Sequence, residues 1–134
     1  MSTQIGRVGD RLVASVLESF GAKTAIANTD GFDLIVYYDQ SWFRVECKAT
    51  GQTESNGKVY AFNPSTGSKN KTTITNKHCD IVGFAALDLR RVLFLPALAV
   101  TSPTKRFSPK KFTPLNEFKT WIEAVERVKN DTIN

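Results

Sequence analysis

The sequence predicts one α/β domain, a central β-sheet flanked by helices. Its 134 residues and 41% hydrophobic content suit a single compact core. Apolar residues recur at helical spacing near both ends, and two pairs of short apolar runs divided by turn residues lie between them.

Taken in order, Ile5, Val8, Leu12, Val13, Val16, Leu17 and Phe20 recur at three- and four-residue steps and predict an amphipathic helix stopped by Gly21. Lys23 to Ala27 reads as a short strand, and Asn28-Thr29-Asp30-Gly31 has turn chemistry. Asp33 to Tyr38 is the next strand, Asp39-Gln40-Ser41 a tight hairpin connection, and Trp42 to Ala49 the returning strand. There, side chains alternate: Phe43, Val45 and Cys47 form the core face, while Trp42, Arg44, Glu46 and Lys48 point the other way. Thr50 to Lys58 is a polar loop, Val59 to Phe62 a short strand, and 63–78 a basic loop. Asp80 to Leu87 and Arg91 to Pro96 form a second hairpin turning at Asp88-Leu89-Arg90. Both of its strands are apolar on both faces, so the sheet needs cover on each side. A second basic loop spans 102–113. Beyond Thr113-Pro114, the apolar positions Leu115, Phe118, Trp121, Ile122, Val125 and Val128 mark a helix over about 114–129. Helices at the two ends can cover the two faces.

The net charge of +5 and pI near 9.4 fit a polyanionic partner. Lys69, Lys71 and Lys77 share one acid-free stretch, and Lys105, Arg106, Lys110 and Lys111 share another. Both read as mobile surface loops, and solvated loops kept soluble by charge are the plain alternative. Phe107 and Phe112 interleave with the second cluster, where rings can stack on bases while cations hold phosphates. Arg7 and Arg11, on the exposed side of the first helix, are counted with these cations among the residues expected to meet that partner. No apolar run approaches the roughly 20 residues of a membrane span, and the polar start Met1 to Arg11 does not suit a secretion signal. The two cysteines, Cys47 and Cys79, are expected as free thiols in a reducing compartment, the cytoplasm.

The chemistry centres on Asp33 and on Glu46-Cys47-Lys48. Glu-x-Lys alone says little, since an acid followed two residues later by lysine occurs roughly once per 100 to 150 residues at average composition, and a strand with one wet face explains it equally well. Context adds weight. Asp33 is a charge at the edge of an apolar run, and a hairpin turning near Gln40 pairs position 33 with about 47, at the Glu46 to Lys48 end. On the first helix, Asp10 aligns with Val13 and Leu17 at the border of the buried face, whereas Glu18 aligns with Arg7 and Arg11 on the exposed one. Asp10 can therefore look toward the sheet, although an acid complementing the helix dipole is the simpler alternative.

The runs Gly6-Arg7-Val8-Gly9-Asp10, Gly31-Phe32-Asp33-Leu34-Ile35-Val36 and Val45-Glu46-Cys47-Lys48-Ala49-Thr50 resemble the PD-(D/E)XK nuclease superfamily. Within it they are most similar to the small group I intron homing endonucleases and the archaeal-type Holliday junction resolvases. Phe32 stands where the superfamily name has proline, and Asp10 where many members have glutamate. The resemblance implies a restriction-endonuclease-like core, a central mixed β-sheet of αβββαβ type flanked by helices. It further implies Mg2+, with Mn2+ as a substitute, held by Asp33, Glu46, the backbone carbonyl of Cys47 and Asp10. Lys48 would orient the attacking water or stabilise developing charge. The implied partner is double-stranded or branched DNA, bound by a homodimer or homotetramer.

Together these features lead to an expected Mg2+-dependent DNA endonuclease making site-specific double-strand cuts. Holliday junction resolution is the alternative within the same chemistry, and a non-catalytic DNA-binding module on a nuclease fold is the alternative of another class. His78 is the only histidine, which argues against chemistries needing two. No phosphate-binding glycine loop is present, and His78-Cys79-Asp80 cannot complete a tetrahedral zinc site from adjacent positions.

Overall fold

The computed structural model describes residues 4–29, 31–63, 65–66, 72–73 and 78–133. Helix α1 (Gln4–Ser19) leads into three strands, β1 (Lys23–Thr29), β2 (Phe32–Tyr38) and β3 (Ser41–Thr50). Short strands follow: β4 (Tyr60–Phe62), β5 (Ser65–Thr66) and β6 (Thr72–Thr73). The hairpin β7 (Ile81–Ala86) and β8 (Arg91–Pro96), the strand β9 (Lys105–Phe107) and helix α2 (Pro114–Ile133) complete the chain, with 3-10 turns at Ala97–Ala99 and Pro109–Lys111. No described helix is long and apolar enough to cross a membrane.

The central sheet has five strands in the order β1-β2-β3-β7-β8. All its pairings are antiparallel except β3 with β7, so it is mixed. The β2–β3 connection is a two-residue turn in which Asp39 and Gln40 both take positive φ, 51° and 62°, the handedness that matches strand twist in a tight hairpin. The first four elements follow the order α, β, β, β. Past Thr50 the described residues hold only short strands before β7, and α2 follows the last sheet strand instead of preceding it.

Helices at opposite ends of the chain were expected to cover opposite faces; they pack on the same one. Val13, Val16 and Leu17 of α1 and Trp121, Ala124 and Val125 of α2 share a core with Leu34, Val36, Phe43, Val45, Ile81 and Phe94. The other face is covered by the β4–β9 pair, whose Tyr60 and Phe62 join Phe112 over Val82, Phe84 and Leu93. The two-sided apolar character of β7 and β8 thus does reflect cover on both faces, but a small sheet provides the second layer. This also corrects the reading of 102–113 as a basic loop. Lys105–Phe107 is a strand, Phe112 is buried, and Phe107 lies 5.1 Å from Phe84 and 5.9 Å from Phe112 between ring centroids. Those two rings are core, not base-stacking platforms.

Helix α2 begins where Thr113 Oγ1 accepts the Asn116 N–H at 3.1 Å, an N-cap with proline at the first helical position. It runs past the expected end at 129, where Arg127 pairs with Asp131 and Lys129 reaches Asp39 at the hairpin turn, 2.6 Å away. From α2, Glu117 Oε2 accepts the Val92 N–H at 2.8 Å and Thr120 Oγ1 the Phe94 N–H at 3.1 Å. The next outward position on this edge strand is Pro96, which has no N–H. The β8 edge is therefore closed to strand addition.

Candidate active site

Asp33 sits where the sheet changes direction. Opposite it, the β1–β2 register slips, since Ile26 pairs with Leu34 but Thr29 pairs with Phe32, so β1 carries one extra residue. Such a bulge re-aims side chains, and here its effect is visible. Leu34 belongs to the helix-side core, while Phe32, two residues away, packs on the other one. The β2–β3 pairing ends at Leu34 with Val45, which places Asp33 beside Glu46, one position from the expected partner 47. Beyond that point the Cys47 N–H donates to Asp33 Oδ2 at 2.8 Å and is shared with Glu46 Oε1 at 3.2 Å. A side chain has replaced a ladder bond and is locked at the fork.

Helix α1 brings Asp10 to this fork because Gly9 lets it approach β3 closely. A Cβ built on Gly9 would lie 2.6 Å from the Ala49 Cβ. Gly9→Ala is therefore expected to destabilise the fold by about 1–3 kcal/mol through overpacking and to push Asp10 off the cluster. Denaturant unfolding checks the first effect and divalent-cation affinity the second; unchanged values for both would rule out this close approach.

One ligand-type atom each from Asp10, Asp33 and Cys47 lies within 4.8 Å of the other two. The Cys47 thiol hydrogen-bonds the Asp10 carboxylate. Burial, followed by the charge of Asp33, raises Asp10 from 3.8 to about 6. Glu46, only 8% exposed, is pushed well above the ordinary carboxylate range by burial, by its hydrogen bond to Asp33 and by the Asp33 charge, with Lys48 acting in the opposite sense. Its burial corrects the picture of a wet strand face, because Glu46 lies on the side of the sheet that β4 and β9 cover. Burial also drives the Cys47 thiol well above its normal value. Crowded carboxylates with raised affinity for protons lack positive charge, and oxygen donors of this kind suit a hard divalent cation. In a strand, a residue's N–H and C=O face the same neighbour, so the Cys47 carbonyl faces the side on which its N–H meets Asp33.

Sequence reasoning treated the Cys47 thiol as buried bystander and counted only its carbonyl. The alternation that put Cys47 on the helix side of β3 was the signal that its thiol would face Asp10. Glu18, by contrast, is exposed and accepts a bond from Thr24 at 2.5 Å. Lys48 is half-buried on β3. Arg7 and Arg11 are exposed on α1, with Arg11 donating to the Arg7 carbonyl at 3.3 Å. Lys105 lies over the Phe107 ring at 5.6 Å, and Arg106, Lys110 and Lys111 are exposed. Lys69, Lys71 and Lys77 lie outside the described residues. Cys47 and Cys79 are both free.

No protein-family model matches this chain, and no curated protein matches it. Its fold does match the solved structure of a bacterial homing endonuclease, I-Ssp6803I, with a TM-score of 0.71 over 98% of this chain and 99% of that one. Sequence identity is 13%, so what the two share is the fold.

Proposed function

We propose that this protein is a Mg2+-dependent DNA endonuclease of the PD-(D/E)XK type, making site-specific double-strand cuts as homing endonucleases do. One observation carries the proposal: Asp33 is locked by the Cys47 N–H at a fork in the sheet, with Asp10 close to it, Glu46 hydrogen-bonded to it and Lys48 acting on Glu46. The fold shared with a homing endonuclease supports the same activity and DNA as the partner.

Asp33, Glu46, the Cys47 carbonyl and Asp10 would hold the ion, Mg2+ or Mn2+ in its place. When bound, the ion lowers the pKa of a water and neutralises charge on the phosphate. The chain contributes the rest. The backbone fixes Asp33, so its carboxylate needs no reorganisation. Burial around Glu46 strengthens every charge interaction there. Lys48 places a cation beside the carboxylates, where it can orient water or meet developing negative charge. Cutting both strands of a duplex calls for two such sites, hence a homodimer or homotetramer.

Supercoiled plasmid incubated with the wild-type protein is expected to be nicked and linearised with Mg2+ or Mn2+, and left intact with a chelator. Absence of any metal-dependent product would leave the non-catalytic DNA-binding reading in its place. Competition between linear duplex and a four-way junction separates homing-type cleavage from junction resolution: preference for the duplex supports the former.

A further inference from the structure

Beyond the far edge of the sheet, a cleft of about 400 Å3 opens between β8, β9, the Pro109–Lys111 turn and α2. Lys105, Arg106, Lys111 and Lys119 line it, against a single acid, Glu123. Four basic residues elsewhere are neutralised locally: Arg44 by Asp80, Arg91 by Glu117, Arg127 by Asp131 and Lys129 by Asp39. The cleft's cations form no ion pair among the described residues. Concentrated like charge without internal partners is costly to maintain for stability alone and fits an external anion.

The elements around the cleft also hold it in shape. Strand β9 is paired to β4, and its Phe107 is anchored in the aromatic core. Asn116 donates to the Lys111 carbonyl at 3.0 Å, tying the 3-10 turn to α2. Lys119 comes from α2, outside the two basic segments visible in the sequence.

We propose that this cleft grips a backbone phosphate of DNA away from the bond being cut. This rests on the nuclease reading above and specifies one part of it. The sheet order puts β8 two strands from β3, about 10 Å at ordinary strand spacing. Asp33 lies on the other side of β3 from β8, so the cleft cannot hold the scissile phosphate. With about 3.4 Å of helix axis per nucleotide, it matches a phosphate three or more nucleotides away.

The test is fluorescence anisotropy with a labelled duplex across a salt series, in an Asp33→Asn background that prevents cutting. The Arg106→Ala/Lys119→Ala double variant is expected to bind roughly tenfold more weakly and to reduce the slope of log K against log salt by about one to two. Lys23→Ala, which removes one charge from the opposite edge of the sheet, should change neither appreciably. Glu123→Gln should tighten binding, a gain that misfolding cannot imitate. Equal effects from the double variant and Lys23→Ala would overturn the cleft assignment while leaving the nuclease reading intact. No duplex binding in either the wild-type or the Asp33→Asn background would overturn both. Binding of deoxyadenosine monophosphate that the double variant loses, with duplex binding unchanged, would replace this proposal with a free-nucleotide site.

Discussion

An Asp33→Asn variant is expected to lose cleavage by on the order of a thousandfold and, in the absence of divalent cations, to be more stable than the wild type near pH 8. Under the proposed function, the rate loss follows from removing a central charged ligand. Charge stabilisation by a bound ion is worth several kcal/mol, and each ~1.4 kcal/mol is tenfold in rate. The fold should survive, because the Asn carbonyl can still accept the Cys47 N–H and its amide can donate to Glu46. The gain in stability follows from linkage. Asp10, at about 6, and Glu46, raised further, both hold protons more tightly in the native chain than in the unfolded one. Above the ordinary carboxylate range the native state therefore carries more protons, and stability falls as pH rises, through about 6 for Asp10 and higher for Glu46. Asp33→Asn removes one cause of both shifts, its charge, but leaves burial, so the fall becomes shallower without disappearing. At the proposed metal site, Mg2+ would favour the deprotonated carboxylates and should raise the wild-type melting temperature more at about pH 8 than at about pH 5. Melting curves at the two pH values, with and without Mg2+, check this; a wild type indifferent to both would show that the carboxylates are not coupled.

Trp121→Ala should produce the largest loss of stability. Trp121 is fully buried, and its ring meets Tyr38, Phe43 and Phe94 at 5.5, 5.9 and 5.2 Å. One side chain thus joins α2 to β2, β3 and β8. Removing it should cost about 3–5 kcal/mol and lower the melting temperature by roughly 10–15 °C. Its indole Nε1–H is buried with no hydrogen-bond partner among the described residues, so Trp121→Phe discards an unpaid polar group along with some volume. The Phe variant should lose only about 1 kcal/mol. A mild Ala variant would mean that α2 is not seated on the sheet through this ring.

Local periodicity made α1, the first hairpin and β8 readable in the sequence, because one-sided burial and turn chemistry leave a repeating pattern. The side of the sheet on which a terminal helix lands leaves no such mark: the stripe of α2 looks the same on either face. Strand β9 was hidden because its pairing partner β4 lies more than forty residues away and its two basic residues resemble loop residues. The proximity of Asp10 to Asp33 followed from helix phase. The burial of Glu46 did not, since it depends on Phe62 and Phe84 packing over that face of the sheet. The register slip in β1 has no signature in residue type, and it turns an ordinary hairpin pairing into a fork.

The one parallel pairing divides the chain in time as well as in space. Strands β1 to β3 are joined by short connections, whereas Val45 must find Ile81 across a long intervening segment, and such distant pairings close late. Asp10, Asp33, Glu46 and Lys48 all lie on the early side of that seam. These side chains can therefore gather while still hydrated, and the dry surroundings that distinguish Glu46 arrive only when β7 docks and β4 and β9 cover that face.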